Sequence, residues 1–147
     1  KTTLKVGEEM KKLILISLIC LLFIIGCGDD PGGVMSQNQI SKETLEYINK
    51  NILNTNEKLV AYYDVTLLMD NSESATLTDK RVIYHKNDRN SSILYEKIKK
   101  IDHKYTTLIG DIILIESASD DVMKIEIAPL NGGEIFLDLL KKRSPNL

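Results

Sequence analysis

The sequence predicts a mainly β domain: a curled antiparallel sheet or barrel of about seven short strands, capped by a C-terminal helix and preceded by one N-terminal helix. Three observations predict it. Leu59, Ala61, Tyr63, Val65, Leu67 and Met69 recur at period two, the repeat of a half-buried strand. Further short apolar runs follow, separated by polar turn clusters at hairpin spacing. Near the C-terminus a single apolar stripe at helical spacing replaces them. Another small α+β fold with an antiparallel sheet is the alternative. A chain of 147 residues, 43% of them hydrophobic, suits one core. With 5% aromatic residues and no Trp, that core must come from Ile, Leu and Val, which favours strands.

From the N-terminus, residues 1–26 read as a leader and signal segment whose true start is Met10. Met10-Lys11-Lys12 is a basic start, and LILISLICLLFII over residues 13–25 is an apolar run, shorter than the roughly 20 residues of a spanning helix. The run ends in Ile24-Ile25-Gly26-Cys27, which resembles the lipobox of bacterial lipoproteins. The resemblance implies that Ile24, Ile25 and Gly26 are recognised by a signal peptidase. It also implies that the Cys27 thiol takes a diacylglycerol and an acyl chain and becomes the mature N-terminus. Two or three chains at about 0.8 kcal/mol per buried methylene hold a protein stably on a membrane. The implied place is the extracytoplasmic side of a membrane in the cell envelope, inner or outer left open. Beyond that covalent lipid no cofactor is expected, and Cys20 and Cys27 show no disulfide or metal spacing.

Residues 27–40, polar and glycine-rich, read as a flexible tether. Within it, Asp29-Asp30 is either a sorting signal or solvated linker; Gly28, not aspartate, follows Cys27, so the familiar inner-membrane retention signal is absent. Ser41 caps a helix within 41–54, with Leu45, Ile48 and Ile52 on one face. Strands are expected at 59–69, 75–78, 82–86, 92–95, 101–108, 111–117 and 122–128, with turns at 70–74 and 86–90. After Asn131-Gly132-Gly133 comes a helix over 134–142, with Ile135, Phe136, Leu139 and Leu140 as its stripe and charges that match the helix dipole. Residues 144–147 are a tail.

Across 57–143 the order of elements resembles the pleckstrin-homology superfold, particularly bacterial PH-like and GRAM-like domains. The residues that carry the resemblance are Leu77-Thr78-Asp79-Lys80-Arg81, similar to an LT-x-x-R hairpin, Ile98 and Ile101, similar to an I-x-x-I segment, and Glu57 at the start.

Phosphoinositide-binding members use basic residues in the first hairpin loop, whereas Asp70-Asn71-Ser72-Glu73-Ser74 has none. Lys80-Arg81 reads as a structural hairpin with Arg81 paired to a carboxylate rather than as an anion site. Lys97, Lys99, Lys100 and Lys104 read as a solvated face. Four of the 19 basic and two of the 21 acidic residues precede Cys27, so the remainder carries a net charge of -4, unsuited to nucleic acid. His85 and His103 lack metal-ligand spacing, and Asp120-Asp121 reads as a turn. No nucleophile elbow or phosphate loop is present. The expectation is a lipid-anchored module that binds a protein or peptide on a sheet edge or beside the C-terminal helix, with no catalytic residues and no metal. A surface-exposed structural lipoprotein and an envelope enzyme or small-molecule binder are the alternatives.

Overall fold

The structure is a computed structural model that describes residues 30–145. A 3-10 turn at Gln37–Gln39 leads to helix α1 (Lys42–Asn51). A four-stranded antiparallel sheet follows, β1 (Leu59–Asp64), β2 (Glu73–Thr78), β3 (Arg81–Lys86) and β4 (Arg89–Leu94), in the order β1-β2-β3-β4. A 3-10 turn at Tyr95–Lys97 crosses to a second antiparallel sheet, β5 (Ile98–Thr106), β6 (Gly110–Ser117) and β7 (Val122–Ile127), ordered β5-β6-β7. Helix α2 (Gly133–Arg143) ends the fold. No helix among the described residues is long and apolar enough to cross a membrane.

The main core lies between the sheets. Ala61, Tyr63, Leu77, Val82 and Ile93 of the first sheet face Ile113, Ile115, Met123, Ile125 and Ile127 of the second, and α2 adds Phe136, Leu137 and Leu140. A second layer lies on the other face of the first sheet, where Ile48 and Ile52, with Met35 and Ile40, cover Leu59, Tyr62 and Ile83. Because β1 is covered on both faces, Tyr62 and Tyr63 are both buried.

Several boundaries differ from expectation. The first strand ends at Asp64 rather than at 69. The Asp64 carboxylate accepts Thr66 N–H (2.7 Å), Thr66 Oγ1 (2.6 Å) and Asn71 N–H (2.8 Å), which pulls the chain into a loop. Leu67 and Leu68 thereby end up exposed. Strand β4 starts at Arg89 because Asn87 and Asp88, at φ 48° and 61°, form a two-residue turn in place of the five-residue one. Likewise β5 begins at Ile98, and Thr106 closes its turn by accepting Ile109 N–H. On α2 the buried arc is Phe136, Leu137 and Leu140, with Ile135 turned outward.

The tether expected over 27–40 is overturned from residue 30 onward. Asp30 accepts Ser41 N–H and Thr44 Oγ1 (2.7 Å), holding the residue that caps α1, and Met35 exchanges two 2.8 Å backbone hydrogen bonds with Tyr62. Met35 is buried, and a buried side chain on a bridged backbone is part of the domain. Ser41 caps α1 as expected, its Oγ accepting Thr44 N–H at 3.2 Å, and Asp30 braces Ser41. Asp29 lies outside the described residues.

Candidate functional site

Two seams separate the sheets, and the chain treats them differently. On one side, Met35 pairs with β1 at Tyr62 while Val34 N–H donates to Asn131 O at 2.8 Å, so residues 34–35 bridge from the first sheet to the segment that follows β7. On the other side, among the described residues, β4 pairs only with β3 and β7 only with β6. Between them lies an open cleft of about 350 Å³ lined by Ser91, Ser92, Ile93, Asp121, Val122 and Met123.

The register fixes which backbone groups reach this cleft. Tyr95 N–H donates to Lys80 O, so the β3–β4 pairs 82–93, 84–91 and 86–89 are the hydrogen-bonded ones. Asn90, Ser92 and Leu94 thus direct their N–H and C=O away from β3. In the same way Ser117 N–H donates to Asp121 O, which leaves the backbones of Val122, Lys124 and Glu126 facing away from β6. Ile93 and Met123 form a buried apolar floor, and Val122 is 66% exposed at the rim. Unpaired strand edges over an apolar floor are what an added strand requires: main-chain bonds for affinity and pockets for alternate side chains.

Other surfaces offer less. The groove of about 410 Å³ beside α2 runs past Lys80, Leu94, Tyr95 and Arg143. Another open cleft, about 540 Å³, lies at Tyr84, Lys86, Asn87, Arg89 and Ser91. There Glu73 accepts the Tyr84 hydroxyl, and Lys86 sits 3.0 Å from the same carboxylate. The Tyr84 hydrogen bond holds Glu73 below the usual carboxylate range against the opposing effect of burial, and Lys86 adds to it. Lys86 is thus neutralised from within the hairpin.

The sequence-predicted residues fall as follows. Ile24, Ile25, Gly26 and Cys27 lie outside the described residues. Arg81 makes a bidentate pair with Glu57, Nε to Oε1 and Nη2 to Oε2, each at 2.9 Å. The Glu57 side chain is 1% exposed. Burial pushes its carboxyl up, but Arg81, the Asn54 N–H and the Thr78 hydroxyl outweigh this and hold it at about 2. The Thr78 hydroxyl also accepts the N–H groups of Lys80 and Arg81 at 3.0 Å, so the LT-x-x-R stretch is a structural turn. Lys99 lies 2.8 Å from Glu116 and 3.1 Å from Asp120, and Lys100 lies 2.6 Å from Asp102. Asp121 accepts Ser119 Oγ within the β6–β7 turn. Among the described residues no three His, Cys, Asp or Glu side chains gather as a metal group.

Sequence reasoning missed a polar row that is buried except at one end. Asp64, Ser74 and His85 are buried, and they stand side by side with the exposed Asn90 across β1 to β4 beneath α1. Asn90 Nδ2 donates to Asn51 O (2.8 Å), which turns Asn90 Oδ1 toward His85 Nδ1 (2.7 Å). His85 therefore carries its proton on Nδ1, and Nε2 accepts the Tyr47 hydroxyl at 2.9 Å. Burial, with the carboxylates of Asp88, Asp70 and Asp64, raises the Tyr47 phenol and keeps it a donor. With both ring nitrogens occupied, His85 is a latch for α1. Only the register reveals this, because 38 residues separate Tyr47 from His85. His103 Nε2 lies 2.7 Å from the buried carboxylate of Asp111, which packs under Gly133 at the start of α2.

No family model and no curated protein matches this chain. Among solved structures it is similar to a DUF1696 family protein with a pleckstrin-homology domain from Shewanella loihica PV-4. The TM-score is 0.56 at 15% sequence identity, over 77% of this chain and 98% of that one. Seven strands in two antiparallel sheets closed by a C-terminal helix, together with this neighbour, make the fold pleckstrin-homology-like.

Proposed function

We propose that this chain is a bacterial lipoprotein, held at Cys27 on the extracytoplasmic side of an envelope membrane, whose PH-like domain binds an extended segment of a protein partner. On this reading it is a binding module, not an enzyme, and uses no cofactor beyond its lipid. The lipobox resemblance supports the anchor. The binding role rests chiefly on one observation: residues 34–35 bridge the β1 seam, while the β4–β7 seam keeps unpaired backbone and an apolar floor. A lipid anchor supplies the membrane affinity, so the domain needs no basic headgroup pocket.

The test is site-specific photocrosslinking in intact cells, with the crosslinker at Ser92 or, as a control, at Lys50 on α1. Radiolabelled palmitate should enter the wild type and not Cys27→Ala. The Ser92 probe should capture one envelope protein that the Lys50 probe does not, and Val122→Asp should cut the yield at least tenfold. Palmitate retained in Cys27→Ala would refute the anchor, and equal capture at both positions would refute the seam.

A further inference from the structure

We infer that the end of the domain formed by the β5–β6 turn, the β7–α2 connection and the start of α2 rests directly on the membrane that holds the anchor. The inference builds on the lipid anchor proposed above. Its first support is covalent reach. A free tether through residue 40 would let the domain stand up to about 45 Å from Cys27. Instead Asp30 is bonded to Ser41 and Thr44, so only three residue steps remain, at most about 11 Å. Three residues further on, Gly33 lies against Asn131, where an added Cβ would stand 3.2 Å from Asn131 O, and Val34 donates to that same carbonyl. The anchor therefore enters at the N-terminus of α1, and the chain reaches the β7–α2 connection three residues later, which puts that connection within about 21 Å of Cys27.

The second support is independent of the anchor. Four of the exposed large apolar side chains lie at this end. Leu130 is 100% exposed and Ile135 58%, while Leu108 and Ile109 on the β5–β6 turn are 90% and 41% exposed. The turn abuts the connection, since a Cβ on Gly110 would fall 2.1 Å from Ile127 O and 2.7 Å from Pro129 N. Ile135 in turn sits beside the anchor segment, because a Cβ on Gly132 would touch both Val34 and Ile135. Leu130 holds φ 68°, a conformation that β-carbon-bearing residues seldom adopt, and its side chain has no protein neighbour to account for it. A bilayer surface within reach of a short anchor is the occupant that such an apolar rim fits. The net charge of -4 from Cys27 onward disfavours anionic lipid, so the contact would be apolar rather than electrostatic.

This placement leaves the proposed peptide seam accessible. Val122, at its rim, lies about 17 Å along β7 from Ile127, which borders the membrane-facing end.

The experiment uses the processed, lipidated protein in phosphatidylcholine vesicles that contain a headgroup-nitroxide lipid. A bimane fluorophore is placed at Leu130→Cys or, as a control, at Lys80→Cys. Lys80 lines the groove at the Arg143 end of α2, about 15 Å along the helix from Gly133. Both positions are exposed, and Cys27 carries no free thiol once acylated. Quenching at 130 should exceed that at 80 at least threefold. Equal or greater quenching at 80 on protein shown by mass spectrometry to be acylated overturns the orientation alone. Protein purified from its own cells that mass spectrometry shows to carry no acyl group at Cys27 overturns the anchor and the orientation with it.

Discussion

Changing Glu57 to Gln removes the charge from a bidentate pair whose carboxylate is 1% exposed, and the effect on stability follows from linkage. The carboxyl falls from its ordinary 4.5 to about 2 in the folded protein. At 1.36 kcal/mol per pH unit this corresponds to about 3 kcal/mol of stability. The folded value is the lower one, so the contribution is complete above pH 4.5 and fades as pH falls through 2. Urea unfolding of wild type and Glu57→Gln, followed by circular dichroism from pH 7 to pH 2, should give a difference of about 3 kcal/mol at neutral pH. That difference should shrink steadily below pH 4.5. Other carboxylates titrate equally in both proteins and cancel. A difference that stays constant across the range would refute the reasoning, because the loss would then come from packing rather than from charge.

Two further substitutions test close packing and polar burial. Gly110→Ala sets a Cβ 2.1 Å from Ile127 O at φ 93°, against backbone that cannot yield, and should cost about 3 kcal/mol or more in thermal or urea unfolding; a loss under about 1 kcal/mol would disprove the approach. Thr76→Val removes a fully buried hydroxyl that has no partner and lies in register between Tyr62 and Ile83, and should raise stability by about 1 kcal/mol, whereas a lowered urea midpoint would show that the hydroxyl is bonded after all.

Much of the fold was legible because strand alternation and turn chemistry are local. Met123, Ile125 and Ile127 face the core as their spacing requires, and Arg81 finds a carboxylate as the hairpin resemblance implied. What escaped was set partly by local side-chain turns and partly by residues distant in sequence. Alternation continues past Asp64 to Met69, but the Asp64 carboxylate captures Thr66 and Asn71, two and seven residues on, and this local turn ends the strand against a period-two signal. Gly32, Gly33 and the polar residues near them suggested a tether, yet Val34 and Met35 find partners 97 and 27 positions away. Neither the seam nor the row under α1 has a sequence signature, since both depend on which strand edges meet.

The distribution of protection along the two open edges bears on whether the seam is used. An exposed strand edge invites aggregation, and natural sheets blunt such edges with charge, covering elements or short length. Here the blunting is selective. At one end of β4 the Asn90 side chain is bonded to α1 through Asn51 O, and further along β7 the Lys124–Glu126 ion pair, at 2.9 Å, places charge on the edge. Between these guards lie Ser92 and Val122, themselves uncharged, with buried Ile93 and Met123 behind; the charges that reach this stretch are Asp121 at the turn end of β7 and Arg81, whose Nη1 donates to Ser92 Oγ at 3.0 Å. Guards on both sides of an unguarded stretch exclude a long sheet and admit a short extended peptide of about four to six residues. Residues 34–35 already show, on the opposite seam, that a single bridged residue suffices to dock an extended segment onto an edge of this fold.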